Sequence, residues 1–175
     1  SALRLPSAER GDPMAPLKEI ASQLVEDIPE DQPFRRIRAI QDYLQDQREF
    51  SYTTVLTRED LKLDPIVDFL VNTKQGHCEY FASAMALMLR SVGIPSRVVV
   101  GYRSGEYNPI GEYLQVRQFH AHAWAEAYLA PGEFPTDMVF RGERKDAAWL
   151  RLDPTPQSGE TAPLAFSNSR WIIVR

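Results

Sequence analysis

Apolar residues recur at Leu17, Ile20, Ala21, Leu24, Val25 and Ile28, the spacing of one helical face, with charged residues opposite. Pro29 closes that helix. Pro33 suits the first turn of the next, which runs to about Gln47 with Phe34, Ile37, Ile40 and Leu44 facing inward. Phe50-Ser51-Tyr52-Thr53 reads as a short extended piece, and Asp64-Pro65 as the cap and first turn of a short helix over 66–71. From Cys78 to about Ser91 the chain is apolar on almost every side (Phe81, Ala82, Ala84, Met85, Ala86, Leu87, Met88, Leu89). A helix of that pattern belongs at the centre of a fold. Gly93 suits its left-handed stop, and Pro95 prevents continuation.

The period then changes. Residues 96–102, with Arg97, Val98, Val99 and Val100, predict a buried strand, and 103–112 a loop rich in Gly, Asn and Pro. Residues 113–129 alternate as one long strand or a hairpin, and 130–147 form a polar loop. Residues 149–153 predict a further strand, and 171–174 an edge strand. Helices first and an antiparallel run afterwards predict an α+β domain, its sheet packed on the Cys78 helix. Residues 1–16 read as an irregular lead-in and 17–175 as a single domain.

A chain of 175 residues, 43% hydrophobic, is long enough to bury a real core. With 20 basic residues against 24 acidic, and only Arg35, Arg36 and Arg38 clustered, there is no nucleic-acid footprint. That trio reads as the solvated side of a helix. The longest apolar stretches, 84–89 and 98–100, fall far short of the roughly 20 residues a membrane span needs. With no initiator methionine and no leader pattern, the sequence is expected to be a domain excised from a longer parent.

Cys78 is the only cysteine, so an intrachain disulfide does not explain it. It falls at a helix start, where free N–H groups and the macrodipole favour an anion and lower a thiol's pKa. A thiol nucleophile also needs a base and a group that orients the base. The histidines are His77, His120 and His122. His77 adjoins Cys78, but neighbours at a helix start point apart. On a strand, His120, His122, Trp124 and Glu126 share one face, while Phe119, Ala121, Ala123 and Ala125 form the other. Alternation therefore leaves His120 and His122 as equals.

Asp153, before Pro154, sits at a strand end where its carboxylate can accept from an imidazole. The Cys78 backbone N–H is the natural first donor to an oxyanion, and Gln75, His77 and Trp124 are unranked choices for the second. Tyr102 ends a strand and is expected to border the cleft. His120 and His122 on one face, with Cys78 and Asp153, also admit a zinc reading, but without the tight ligand spacing of structural zinc sites. Glu126 is expected in a solvent-exposed ion pair, and Glu79 either as an electrostatic cap at the start of the Cys78 helix or beside Arg97 or Arg103.

Four ordered blocks carry a resemblance: Gly76-His77-Cys78-Glu79-Tyr80-Phe81-Ala82-Ser83-Ala84, Gly93-Ile94-Pro95-Ser96-Arg97-Val98-Val99-Val100-Gly101-Tyr102, His122-Ala123-Trp124-Ala125-Glu126 and Trp149-Leu150-Arg151-Leu152-Asp153-Pro154-Thr155. Together, over about 35–156, they resemble the transglutaminase-like superfamily, in particular its bacterial branch found as an extracytoplasmic part of multi-span membrane proteins. The resemblance implies a papain-like fold with Cys78 as nucleophile, His122 as base and Asp153 as orienting acid. It implies acyl transfer on a peptide or protein through a thioester, to an amine or to water. It further implies a periplasmic or extracytoplasmic setting and a membrane-anchored parent. No metal or organic cofactor is required by this chemistry. A cysteine protease or amidase of the same fold, or a peptide-binding module without catalysis, are the other readings. The departure from the family is a long insertion between Leu129 and Trp149, near the rim of the expected site.

Overall fold

Two prolines and two apolar stripes set up the helical half. The computed structural model describes residues 11–103, 106–133, 147–156 and 172–173, with α1 at Ala15–Val25 and α2 at Pro33–Gln45. Each begins with a proline in its first turn, where a missing N–H leaves no bond unmade. Leu17, Ala21 and Val25 of α1 and Ile37, Ile40 and Leu44 of α2 are buried, the stripes the spacing predicts. The lead-in is shorter than expected, because Met14 already packs in the core. Residues 1–10 of that lead-in lie outside the described residues.

Strand β1 (Ser51–Tyr52) is followed by α3 (Pro65–Asp68), which Asp64 caps by accepting the Ile66 N–H at 2.8 Å. α3 does not stop where expected. It widens into a π-helical turn over Phe69–Thr73, ended by Lys74 in the left-handed conformation. Buried Asp68 accepts the Glu59 and Asp60 backbone N–H groups and the Asn72 amide, which pins the loop between β1 and α3. Strand β2 (Gln75–Gly76) then pairs in parallel with β1 and leads into α4 (Cys78–Ser91).

α4 is the central helix, with Phe81, Ala82, Ala84, Met85, Ala86, Met88 and Leu89 buried. It ends in a Schellman motif. Gly93 takes φ +84°, its N–H reaches the Arg90 carbonyl at 3.2 Å, and the Ile94 N–H reaches the Leu89 carbonyl at 2.9 Å. The buried Ser96 hydroxyl donates to the Ala86 carbonyl at 2.7 Å, and the Arg90 guanidinium donates to the Ser96 carbonyl. The helix is thereby tied to β3 (Ser96–Tyr102).

β3 lies in a four-stranded antiparallel sheet of order β7-β6-β3-β8, with β6 at Ala121–Leu129, β7 at Ala148–Leu152 and β8 at Ile172–Ile173. Ala123, Ala125, Ala127 and Leu129 of β6 are buried, and small side chains here let α4 lie close on the sheet. The expected edge strand over 171–174 is β8, beside β3; Trp171 and Val174 lie outside the described residues. The expected loop over 103–112 contains instead β4 (Glu106–Asn108), paired with β5 (Tyr113–Gln115). Most of the insertion between Leu129 and Trp149, residues 134–146, lies outside the described residues.

The strand predicted over 113–129 is not continuous. A 3-10 turn at Gln118–His120 interrupts it, where the Arg117 N–H donates to His120 Nδ1 and the His120 N–H to the Arg117 carbonyl. His120 therefore stands off the strand and does not share a strand face with His122. Arg36 also departs from the solvated role expected of it, because its guanidinium donates to the Val92 carbonyl at the end of α4.

Candidate active site

Three segments far apart in sequence converge where α4 begins beside β6. Cys78 is the first residue of α4 and half-buried. His77 caps the helix, its Nδ1 accepting the Glu79 N–H at 3.3 Å. At this end the helix offers unpaired N–H groups and the positive pole of its macrodipole to the sulfur.

His122, the second residue of β6, is 9% exposed. Its Nε2–H donates to Asp153 Oδ2 at 2.7 Å, and its side chain also hydrogen-bonds Cys78. With Nε2 engaged by the carboxylate, the nitrogen facing the thiol is Nδ1. Asp153 follows β7 and is fixed from two further directions. Its other carboxylate oxygen accepts the Thr155 N–H at 3.2 Å, while Gln41 and Gln45 of α2 donate their amides to its carbonyl at 3.3 and 2.6 Å.

The electrostatics of the row have one direction. Burial pushes the Cys78 thiol up, but hydrogen bonds from His122 and the Ala123 backbone N–H, with the imidazole's charge, outweigh burial and leave it below its usual range. Burial pulls His122 down, yet its bonds to Asp153 and Cys78 win and raise it to about 9. Burial likewise disfavours an ionised Asp153, and the His122 and Thr155 contacts more than offset it, so the carboxyl titrates below its usual range. A depressed thiol beside a raised imidazole favours thiolate and imidazolium over the neutral pair.

Trp124, two residues along the strand, is sealed at 1% exposure. Its Nε1–H points at Glu126 Oε1 at 3.5 Å, and the Arg151 guanidinium lies 4.7 Å from its ring centroid. Glu126 is buried, not solvent-exposed as expected, and accepts two bonds from Arg97 at 2.9 and 2.7 Å. Register explains it: Arg97, Glu126 and Arg151 stand opposite one another on β3, β6 and β7. Glu79 is exposed beside His77, not against Arg97.

Of the other residues singled out in the sequence, Gln75 is exposed on β2 opposite Ser51. His77 meets Tyr80 edge-on, and Tyr102 is half-buried at the end of β3, between Ala121 and Ile172. Two contributions escaped sequence reasoning. Gln41 and Gln45 sit at i,i+4 on α2, a spacing that reveals one face but not what it meets. Tyr52 of β1 lies near enough to Cys78 for the sulfur's charge to act on the phenol.

A sulfur at a helix start, an imidazole on an antiparallel strand and a carboxylate at the next strand's end define the papain-like class of fold. The chain belongs to the transglutaminase-like superfamily, whose profile matches residues 21–154. It is 47% identical over 94 residues to a protein-glutamine gamma-glutamyltransferase of Pseudomonas aeruginosa, a match covering 54% of this chain and 12% of that protein. It is 35% identical over 158 residues to the uncharacterized protein YebA of Bacillus subtilis, covering 87% of this chain and 19% of that protein. The chain thus spans less than a fifth of the length of these curated relatives.

Among solved structures, the periplasmic domain of TgpA from Pseudomonas aeruginosa matches with TM-score 0.63 and 35% identity, over 87% of this chain and 45% of that one. A putative cysteine protease from Cytophaga hutchinsonii shares the fold, at TM-score 0.53 and 21% identity over 86% of this chain and 40% of that one. Among the described residues, no helix is long and apolar enough to cross a membrane.

Proposed function

We propose that this chain catalyses acyl transfer through a thioester on Cys78, with the side-chain carboxamide of glutamine in a peptide or protein as acyl donor. The observation that carries the reading is the hydrogen-bonded row of Cys78, His122 and Asp153 at the start of α4. The Cys78 thiolate attacks the carboxamide carbon, and the carbonyl π electrons move to oxygen. The backbone N–H of Cys78, free at the helix start, donates to that oxyanion. As the intermediate collapses, the C–N bond breaks and the imidazolium of His122 gives its proton to the departing nitrogen, releasing ammonia. An amine or water then attacks the thioester, His122 takes its proton, and the thiolate leaves. Asp153 holds the ring in the tautomer that presents Nδ1 to sulfur and steadies the imidazolium.

The name of the Pseudomonas aeruginosa relative supports an amine as acceptor, and crosslinked or amine-modified protein as product. The likeness to the TgpA periplasmic domain supports an extracytoplasmic setting; a membrane-anchored parent is part of the same proposal. The test offers a glutamine peptide with and without a primary amine and reads the products by mass. Gain of the amine with loss of ammonia is the expected result, absent in Cys78→Ala. Deamidation alone would make water the acceptor, backbone cleavage would make the chain a protease, and full turnover in Cys78→Ala would overturn the reading.

A further inference from the structure

One donor to the oxyanion, the Cys78 N–H, comes with the helix start; a second is needed to hold the oxygen in a fixed direction. The groups that sequence suggests for this task are engaged or turned elsewhere. Trp124 Nε1–H is directed at Glu126, and its ring is shut from solvent under Arg151. His77 spends Nδ1 on capping α4 and packs edge-on against Tyr80. Gln75 precedes Gly76 on a strand and so points to the opposite face from it.

Tyr52 is placed differently. β1 and β2 pair in parallel with Tyr52 opposite Gly76, two residues ahead of the nucleophile. Bonds on either side fix that register: Ser51 N–H to the Lys74 carbonyl at 3.1 Å and Thr53 N–H to the Gly76 carbonyl at 2.9 Å. Phe50, buried against Phe69 and Phe81, anchors the strand in the core. Gly76 is confined as well, since a Cβ there would come within 2.9 Å of Tyr80 Cβ. The ring of Tyr52 thus has bare backbone across the ladder, leading directly to His77 and Cys78. At 41% exposure it is open to an incoming substrate, as Trp124 is not.

We propose that the Tyr52 hydroxyl is the second donor to the oxyanion, sharing the oxygen with the Cys78 N–H. Burial and the neighbouring Cys78 charge push the phenol above its ordinary pKa, so it keeps its proton and remains a donor at neutral pH. The hydroxyl lends a hydrogen bond and gives up no proton. The proposal rests on the thioester reading above, and the test separates the two.

Tyr52→Phe keeps the ring and removes only the hydroxyl. Three quantities are measured on this variant and on the unchanged chain. They are turnover of a glutamine peptide, alkylation of Cys78 by iodoacetamide, and affinity for a peptide carrying an aldehyde in place of the glutamine carboxamide. The aldehyde forms a tetrahedral adduct with an oxyanion; alkylation forms none. Turnover and aldehyde affinity are expected to fall about 10²-fold while the alkylation rate stays unchanged. Unchanged aldehyde affinity in Tyr52→Phe would overturn the role of Tyr52 alone. Alkylation slowed in parallel would also overturn it, by making the hydroxyl a partner of sulfur. If the unchanged chain binds no aldehyde, the thioester reading falls with it.

Discussion

At the residue scale, the chemistry is a matter of where one proton resides. Asp153 and Cys78 together raise His122 to about 9, and His122 and Ala123 lower Cys78, so both shifts favour the proton on the ring and the charge on sulfur. Asp153→Asn removes the charge that raises His122. The imidazole then loses its proton at lower pH, and the thiol, without its cationic neighbour, moves up. Alkylation of Cys78 at neutral pH is expected to slow about tenfold for each unit of that shift, read from a pH–rate profile. In the unchanged chain, glutamine turnover is expected to decline above about pH 9 as His122 gives up its proton, and Asp153→Asn should move that limb downward. Cys78 and Asp153 were legible because a helix start and a strand end can be read from Gly, Pro and period. The choice between His120 and His122 was not, since alternation assumed a strand that the 3-10 turn breaks. Tyr52 was illegible for another reason. Its place comes from a two-residue parallel pairing, which leaves no periodic trace.

At the scale of elements, short polar ties do what propensity cannot. Asp68 is the clearest case: a buried carboxylate accepting the Glu59 and Asp60 N–H groups and the Asn72 amide. Asp68→Ala leaves those donors short of an acceptor and is expected to cost about 3 kcal/mol, measured by urea unfolding. The Gln41 and Gln45 amides couple α2 to the site by holding the Asp153 carbonyl. Gln45→Ala is expected to lower kcat with little change in KM and to shift the alkylation profile toward that of Asp153→Asn. A loss of folding stability with an unmoved profile would reduce Gln45 to a packing residue. The helices, the strand character of β3 and the Schellman stop were readable because stripe, β-branched run and Gly-x-Pro each have a local cause. But β3 is not the buried strand expected, since Arg97, Val98 and Val100 are exposed. The β4–β5 hairpin was not, as its turn lacks the two-residue Asn-Gly or Asp-Gly signal. Nor was the burial of Glu126, which depends on two arginines contributed by neighbouring strands.

At the scale of the molecule, the helices and the sheet each supply what the other lacks. The sheet brings the imidazole of His122 and the carboxylate of Asp153 together on adjacent strands, and α4 brings the thiol proposed as nucleophile. Alanines on β6 bring the two layers close enough for a hydrogen bond between them. The helix-then-strand order showed this α+β plan, while the strand order β7-β6-β3-β8 followed only from tertiary pairing. Acylation of the Cys78 sulfur is the step on which the proposed chemistry turns. Intact-mass analysis of the chain quenched in acid during turnover of a glutamine peptide tests it directly. The predicted result is an adduct of the peptide's mass less ammonia, mapped to Cys78 and released by hydroxylamine. Undiminished turnover with no such adduct, and with Cys78→Ala equally active, would contradict it.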